Sequence, residues 1–413
     1  MITKGTHSHI AVGAALAATL TLSPVIAQES AAGGAPSTSL RSDFLDAAFM
    51  PGPGQVYVSG HYGMVAKLDV GDDAAKITYV PDTPNADFTA LVRLNDSEAL
   101  IGGSTGRLYH FDGNAVTEVA ELSEYEEPIL DIAASGDSVW VVGARGLVQR
   151  STDGGKTFEE VEIREVTQPK IEFPGAQPAD WYFGVSNLDV DTVEFTAFKG
   201  GEPAVDEEDY IMYPDEGFVQ IQQDLDMDPP PSIAFTFSPG PPFRAGDVSW
   251  NVVMLDGNNV TLAGEFGMIL QSTDNGETWI RRDTEIVPRE PEPAYWMTGV
   301  QQGEQIWLGG AAGVSQRSVD AGATWTDNPK PGREGIFGIT LSNNNQPIIA
   351  GAVGLVGTLK DGDWQLADRT ALKLLSWLRT PVALPDGSVL VTGGRASAIR
   401  YKDGSFSRIP VGL

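Results

Sequence analysis

The sequence predicts an all-β chain built as a seven-bladed β-propeller. Three observations predict it. A 23-residue module occurs in full three times, at residues 139–161 (VWVVGARGLVQRSTDGGKTFEEV), 260–282 (VTLAGEFGMILQSTDNGETWIRR) and 306–328 (IWLGGAAGVSQRSVDAGATWTDN). Aligning the glycine that ends the second apolar run of each module gives seven positions: Gly60, Gly103, Gly143, Gly264, Gly310, Gly351 and Gly394. Their spacings are 43, 40, 121, 46, 41 and 43 residues, a period near forty with room for four strands in each. One such unit cannot bury its apolar faces alone, so copies must stack.

Each unit opens with an apolar strand, at 44–50, 88–94, 129–134, 250–255, 296–300, 336–341 and 376–384. A second runs into the glycine, at 56–58, 99–101, 139–142, 260–263, 306–308, 348–350 and 389–392. A third strand and a hairpin follow. In three units the hairpin reads Ser-x-Asp-x-Gly-x-Thr-aromatic: Ser151, Asp153, Gly155, Thr157, Phe158; Ser272, Asp274, Gly276, Thr278, Trp279; and Ser318, Asp320, Gly322, Thr324, Trp325. The carboxylate accepts backbone N–H groups, the glycine supplies a backbone conformation closed to other residues, and the aromatic offers apolar surface to a neighbouring unit. Other units keep remnants: Asp112-Gly113, Asp361-Gly362 with Trp364, and Asp403-Gly404 with Phe406. Asp153, Asp274 and Asp320 are read as turn formers, not catalytic groups.

The 121-residue gap contains no Gly-x-x-Gly turn and no box remnant between residues 163 and 245. It reads as a β-rich insertion within the propeller of 42–413, Pro-rich and acidic, alternating at 192–198 and 218–222. Long loops inside a compact domain are usually functional. In a propeller the turns between second and third strands share a face with the connections between blades. His61, Tyr62, Arg107, Arg145, Glu265, Phe266 and Arg395 are therefore placed together on a candidate binding face, with the hairpin boxes on the other.

The chain has 413 residues, with 27 basic against 56 acidic side chains and a net charge of −29. That balance argues against nucleic acid and anionic membrane surfaces as partners. Residues 1–27 have the form of a secretory signal: Lys4, an apolar core at 10–22, and Val25-Ile26-Ala27 before Gln28. Residues 28–41 read as a flexible leader, with a strand that closes the ring as one option. A soluble, monomeric protein of the periplasm or extracellular space is expected. There is no Cys, hence no disulfide framework or lipid-anchored cysteine.

The search for chemistry yields little. Past the signal only His61 and His110 remain, too few for a usual zinc site. Gly102-Gly103-Ser104-Thr105-Gly106 matches G-x-S-x-G but lacks the strand-turn-helix context of a nucleophile elbow. Asp224, Asp226 and Asp228 form a weak metal-ligand candidate without the glycine and distal glutamate of a calcium loop. No catalytic residue and no cofactor is expected.

The box identifies the repeats as similar to the Asp-box (BNR) repeats of sialidase-like propellers. The longer string G-x-x-G-x-[apolar]-x-x-S-x-D-x-G-x-T-[W/F], carried at 143–158, 264–279 and 310–325, most resembles the photosystem II stability/assembly-factor family. The resemblance covers about residues 40–413 apart from the insertion. It implies a non-enzymatic, exported propeller that helps a membrane protein complex assemble, in non-photosynthetic bacteria often beside efflux-type (RND) transporters. The sialidase alternative, a glycan-binding or glycan-hydrolysing propeller, requires paired carboxylates and clustered arginines in the central mouth. The inner strands offer only Arg93 and Arg379, and Arg408-Ile409-Pro410 lies at the end of the chain instead of near its start.

Overall fold

A computed structural model describes residues 43–163, 166–167, 171–172, 180–183, 190–237, 248–282 and 294–413. The signal and leader of the sequence reading, with the ring-closing strand suggested for 28–41, lie outside them. Each stretch marked above as a unit forms an antiparallel meander of four consecutive strands. In unit 1 these are Asp46–Met50, Gln55–Ser59, Val65–Val70 and Ala75–Tyr79. The first strands of units 2 to 7 are Phe88–Arg93, Ile129–Ser135, Trp250–Asp256, Trp296–Gln302, Ile336–Leu341 and Leu378–Ala383.

First strands of successive units lie against one another, and that of unit 7 lies against that of unit 1. The apolar cores sit between units. Trp140, Val142 and Val148 of unit 3 meet Trp250, Leu262 and Leu270 of unit 4. Ile348 and Val356 of unit 6 meet Leu378, Val391 and Ile399 of unit 7. Val56, Val58 and Leu68 of unit 1 meet Val382, Leu390 and Ala398 of unit 7. A sheet covered on both faces needs apolar side chains on both, so its inner strands read as continuous runs instead of alternating patterns. The second strands Ala99–Gly103, Pro347–Gly351 and Val389–Gly393 are accordingly buried throughout, whereas Asp363–Leu366 and Ser405–Arg408, fourth strands, are mostly exposed.

The recurring glycine is explained by a close approach. A Cβ on Gly60, Gly143, Gly264, Gly310 or Gly351 would overlap the carbonyl oxygen of Asp43, Pro128, Ser249, Tyr295 or Gly335, each at the entry to the same unit's first strand. In unit 7 the residue in this role is Gly393, which pairs with Leu378 and faces the Trp377 carbonyl. The alignment on Gly394 is therefore one residue late; two adjacent glycines left the phase ambiguous in sequence.

Val411–Gly412 adds a parallel strand beside Ala75–Tyr79, so the last residues cover the outer edge of the first sheet. Ile409 is buried in the core shared by units 7 and 1. Between units 3 and 4, Val166–Thr167 pairs in parallel with Trp279–Arg281, and Thr236–Phe237 pairs with Val166–Thr167. This segment thereby covers the outer edge of unit 4, where unpaired N–H and C=O groups would otherwise face out. Its described residues form small sheets, among them Tyr210–Tyr213 with Phe218–Ile221, around a core of Trp181, Phe183, Tyr210, Val219, Ile233 and Phe235.

Candidate binding face and central channel

In the three full boxes every signature residue is used. Ser151 Oγ donates to Asp153 Oδ1 (2.8 Å) and accepts from Gly155 N (2.9 Å). Asp153 Oδ1 accepts from Thr157 N (3.0 Å), and Oδ2 from Thr157 Oγ1 (2.7 Å). Asp274 and Asp320 repeat this with Ser272 and Thr278, and with Ser318 and Thr324. The Thr157 hydroxyl and N–H hold the Asp153 carboxyl well below the usual carboxylate range, and the same bonds from Thr278 bring Asp274 to about 2. A carboxylate so committed is a turn fixture, not a proton carrier. The glycines seat each box on the preceding unit: Gly155 on Leu100, Gly276 on Trp140, Gly322 on Gln271. Trp279 meets Trp140 edge-on, with ring centroids 5.9 Å apart.

The opposite end carries the turns between second and third strands. His61–Gly63, Ala144–Gly146, Glu265–Gly267, Ala311–Gly313, Ala352–Gly354 and Gly394–Ala396 are single helical turns with a left-handed residue at the apex. Those apices are Tyr62, Arg145, Phe266, Ala312, Val353 and Arg395, with φ between 53° and 57°. The turns hydrogen-bond to the connections between units: Gly63 N to Ala86 O (2.6 Å) and Gly146 N to Val248 O (2.7 Å). Trp296 Nε1 donates to Gly267 O (3.0 Å). Turns and connections thus form one face.

The sequence-selected residues of that face divide. Tyr62 and Phe266 are 73% and 54% exposed, and Arg145 and Arg395 also stand at apices. His61 sits 3.1 Å from Asp87, whose Oδ1 also accepts from Tyr62 N. Glu265 turns inward and accepts from Ser249 N (2.8 Å). Arg107 directly follows its turn as the first residue of the third strand Arg107–Phe111, and its guanidinium is bound by Glu118 and Glu121 of the same sheet. Sequence reasoning missed Val353, 66% exposed at its apex, and Tyr125, Tyr295 and Leu375 in the connections, all exposed. Four of the five exposed aromatic residues among the described residues, Tyr62, Tyr125, Phe266 and Tyr295, lie on this face.

The weak metal candidate fails on geometry. Asp226 Oδ2 accepts from Gly201 N (2.7 Å), and among the described residues no three His, Cys, Asp or Glu converge to hold a metal. Gly102 and Gly103 end a strand that turns directly into the next strand, so G-x-S-x-G has no helix behind it.

The centre of the ring was less legible. The first strands of units 2, 4, 5, 6 and 7 break register near their start, and in unit 3 the break falls between Val142 and Gly143 of the paired strand. Each break leaves one residue unpaired: Thr89, Leu130, Asn251, Met297, Phe337 and Arg379. A bulge re-aims a side chain, and the last five of these line a cavity of ≈ 170 Å³ with Asp46, Asp131, Thr298 and Thr380. Neighbouring first strands share no backbone ladder, and side chains bridge them instead. Asp46 Oδ2 accepts from Leu91 N (2.6 Å) and Oδ1 from Thr380 Oγ1 (3.0 Å). Asp131 Oδ2 accepts from Val253 N (2.9 Å). Thr89 Oγ1 donates to Ile129 O (2.6 Å), Asn251 Nδ2 to Trp296 O (2.7 Å), and Arg379 Nη2 to Thr89 O (3.3 Å).

Burial raises both carboxyls. For Asp46 the Arg379 charge and its hydrogen bonds oppose the rise. For Asp131 burial, with the Asp46 charge adding to it, outweighs the Val253 hydrogen bond and lifts it to about 7. The paired carboxylates required by the glycan alternative are thus present, but with a single arginine and no tyrosine lining the cavity among the described residues. Their signal in sequence was an aspartate at the same place in two otherwise apolar first strands, Leu45-Asp46-Ala47 and Leu130-Asp131-Ile132.

No family model and no curated protein sequence matches the chain. Solved structures do. YCF48 bound to a D1 peptide aligns with a TM-score of 0.53 at 13% identity, over 88% of this chain and 92% of that one. YCF48 from Cyanidioschyzon merolae aligns with a TM-score of 0.53 at 13% identity, over 89% and 97%. The WD40 β-propeller domain of Doa1 aligns with a TM-score of 0.51 at 10% identity, over 88% and 93%. At these identities the likeness establishes the fold alone: the chain is all-β and propeller-like.

Proposed function

We propose that the chain is a non-enzymatic protein-interaction module, a seven-bladed propeller interrupted by an insertion at 163–245 and exported by a signal at 1–27. Its turn face docks a protein partner, and its role is that of an assembly or accessory scaffold for a membrane protein complex. The observation that carries the docking role is the turn face itself. It presents Tyr62, Phe266 and Val353 at left-handed apices, with Tyr125, Tyr295 and Leu375 between them. A left-handed backbone costs an L-residue about 1–2 kcal/mol, and the exposed Phe266 and Val353 side chains bury little surface in the free protein to offset it. The exposed residues of this face are spread around the ring, and four of the five exposed aromatic residues among the described residues gather at this one end, which is the bias a docking face would show. The likeness to YCF48, solved with a peptide bound, supports the same reading. The glycan-hydrolysing alternative needs several arginines at the centre, and the cavity offers Arg379 alone.

The test is co-purification from the native envelope after cross-linking, comparing the wild type with a Tyr62→Ser/Phe266→Ser/Val353→Asn variant. Recovery of one integral membrane complex by the wild type and its loss in the folded variant is expected. Equal recovery by both would remove the turn face from the account.

A further inference from the structure

The central cavity carries more negative charge than its own residues neutralise. Asp46 and Asp131 hold equivalent places in the first strands of units 1 and 3. Asp131 accepts one backbone N–H on each oxygen, from Ile132 (2.9 Å) and Val253 (2.9 Å), and makes no ion pair among the described residues. Each carboxylate oxygen has a second acceptor position. Arg379 is the only cation lining the cavity, and its one hydrogen bond goes to the Thr89 carbonyl, not to either carboxylate. The first strands of units 4, 5 and 6 contribute Asn251, Met297, Thr298 and Phe337 there, none of them charged. The Arg379 charge acts on both Asp46 and Asp131, so two carboxyls share one counter-charge, and the one left uncompensated either takes a proton or takes a cation.

Size and walls narrow the occupant. A cavity of ≈ 170 Å³ is below the usual range of roughly 300–1,000 Å³ for a whole small-molecule ligand. It suits the end of one flexible chain. Most of the surface exposed to the cavity is polar, which suits the charged end of such a chain, and Leu130, Met297 and Phe337 flank it. These residues lie near the start of the first strands, the end where the connections and the turn face are.

We propose that the central channel is a binding site for one organic cation, an ammonium or guanidinium group on an aliphatic stem, with Asp131 as its ion-pair partner. The group is either a free amine or a Lys or Arg side chain of a docked protein. Binding displaces the proton that Asp131 otherwise holds near neutral pH, so binding and proton release are coupled.

Titration calorimetry on the full chain with butylamine, Nα-acetyl-lysine methylamide and Nα-acetyl-norleucine methylamide tests this without any partner, so its outcome is separate from that of the docking role. Both amines are expected to bind and the norleucine analogue not to. Affinity should rise about fivefold from pH 6 to pH 7, reach about tenfold by pH 8 and level off above that. Asp131→Asn should weaken binding at pH 8.5 by tenfold or more. Arg379→Gln removes the competing cation and should strengthen binding several-fold at the same pH, a gain that a misfolded variant would not show. Equal binding of both amines assigns the site to a free amine; tighter binding of the lysine derivative assigns it to a docked side chain. Norleucine binding as strong as lysine, pH-independent affinity, or no binding of either amine to the folded wild type at millimolar concentration would overturn the proposal.

Discussion

Asp131 couples the channel to pH. Its folded-state pKa of about 7 lies above the ordinary 3.8, so the native state holds this proton more tightly than the unfolded chain does. The stabilisation is full below the unfolded value and is lost as pH rises through 7, a loss of at most about 4 kcal/mol for a shift of this size. Carboxylates with lowered values, such as Asp274 and Asp386 at about 2, act oppositely, but they complete their titration below the pH 5–8 window. Thermal melts should therefore show stability falling from pH 5 to pH 8, and Asp131→Asn should flatten that slope; an unchanged slope would contradict the assignment. Val353 gives a second residue-scale expectation. Its left-handed φ of 53° with an exposed side chain means that Val353→Gly should stabilise the free protein by about 0.5–1 kcal/mol, read as a raised denaturation midpoint.

At the scale of the element, the box hairpin joins units as well as turning the chain. Gly276→Ala forces a Cβ into the Trp140 ring at a φ of 90°, and should cost about 2–5 kcal/mol in chemical denaturation. Gly136→Ala also has a positive φ but meets open space, and should cost only about 1 kcal/mol. Similar losses for the two would refute the role given to Trp140. The hairpins were legible because Ser, Asp, Gly and Thr each satisfy a local demand within eight residues. The strand bulges were not. A bulge at Thr89 or Arg379 is set by how one first strand meets the next, which no local pattern records, so the channel aspartates escaped notice as apolar-strand exceptions. The ion pairs of Arg107 were not readable for a related reason: its partners Glu118 and Glu121 belong to the adjoining strand.

For the whole molecule, the period near forty was enough to place every meander, because each unit must present two apolar faces to two neighbours. How the chain meets itself was not readable, since Val411–Gly412 carries no strong strand signal and pairs with residues more than three hundred positions away. Ile409 ties that end into the core between units 7 and 1, so Ile409→Ala should cost about 2–4 kcal/mol and loosen hydrogen exchange in Ala75–Tyr79 before the other sheets. The functional account rests on the asymmetry between the two ends of the ring: boxes consumed by internal contacts at one, exposed apices at the other. Site-specific photo-cross-linking in the native envelope measures this most directly, with the probe at Phe266 on the turn face or at Val319 beside a box on the opposite end. The account predicts one discrete partner adduct from Phe266 and none from Val319. Adducts of the same partner from Val319 alone, or equally from both positions, would contradict it.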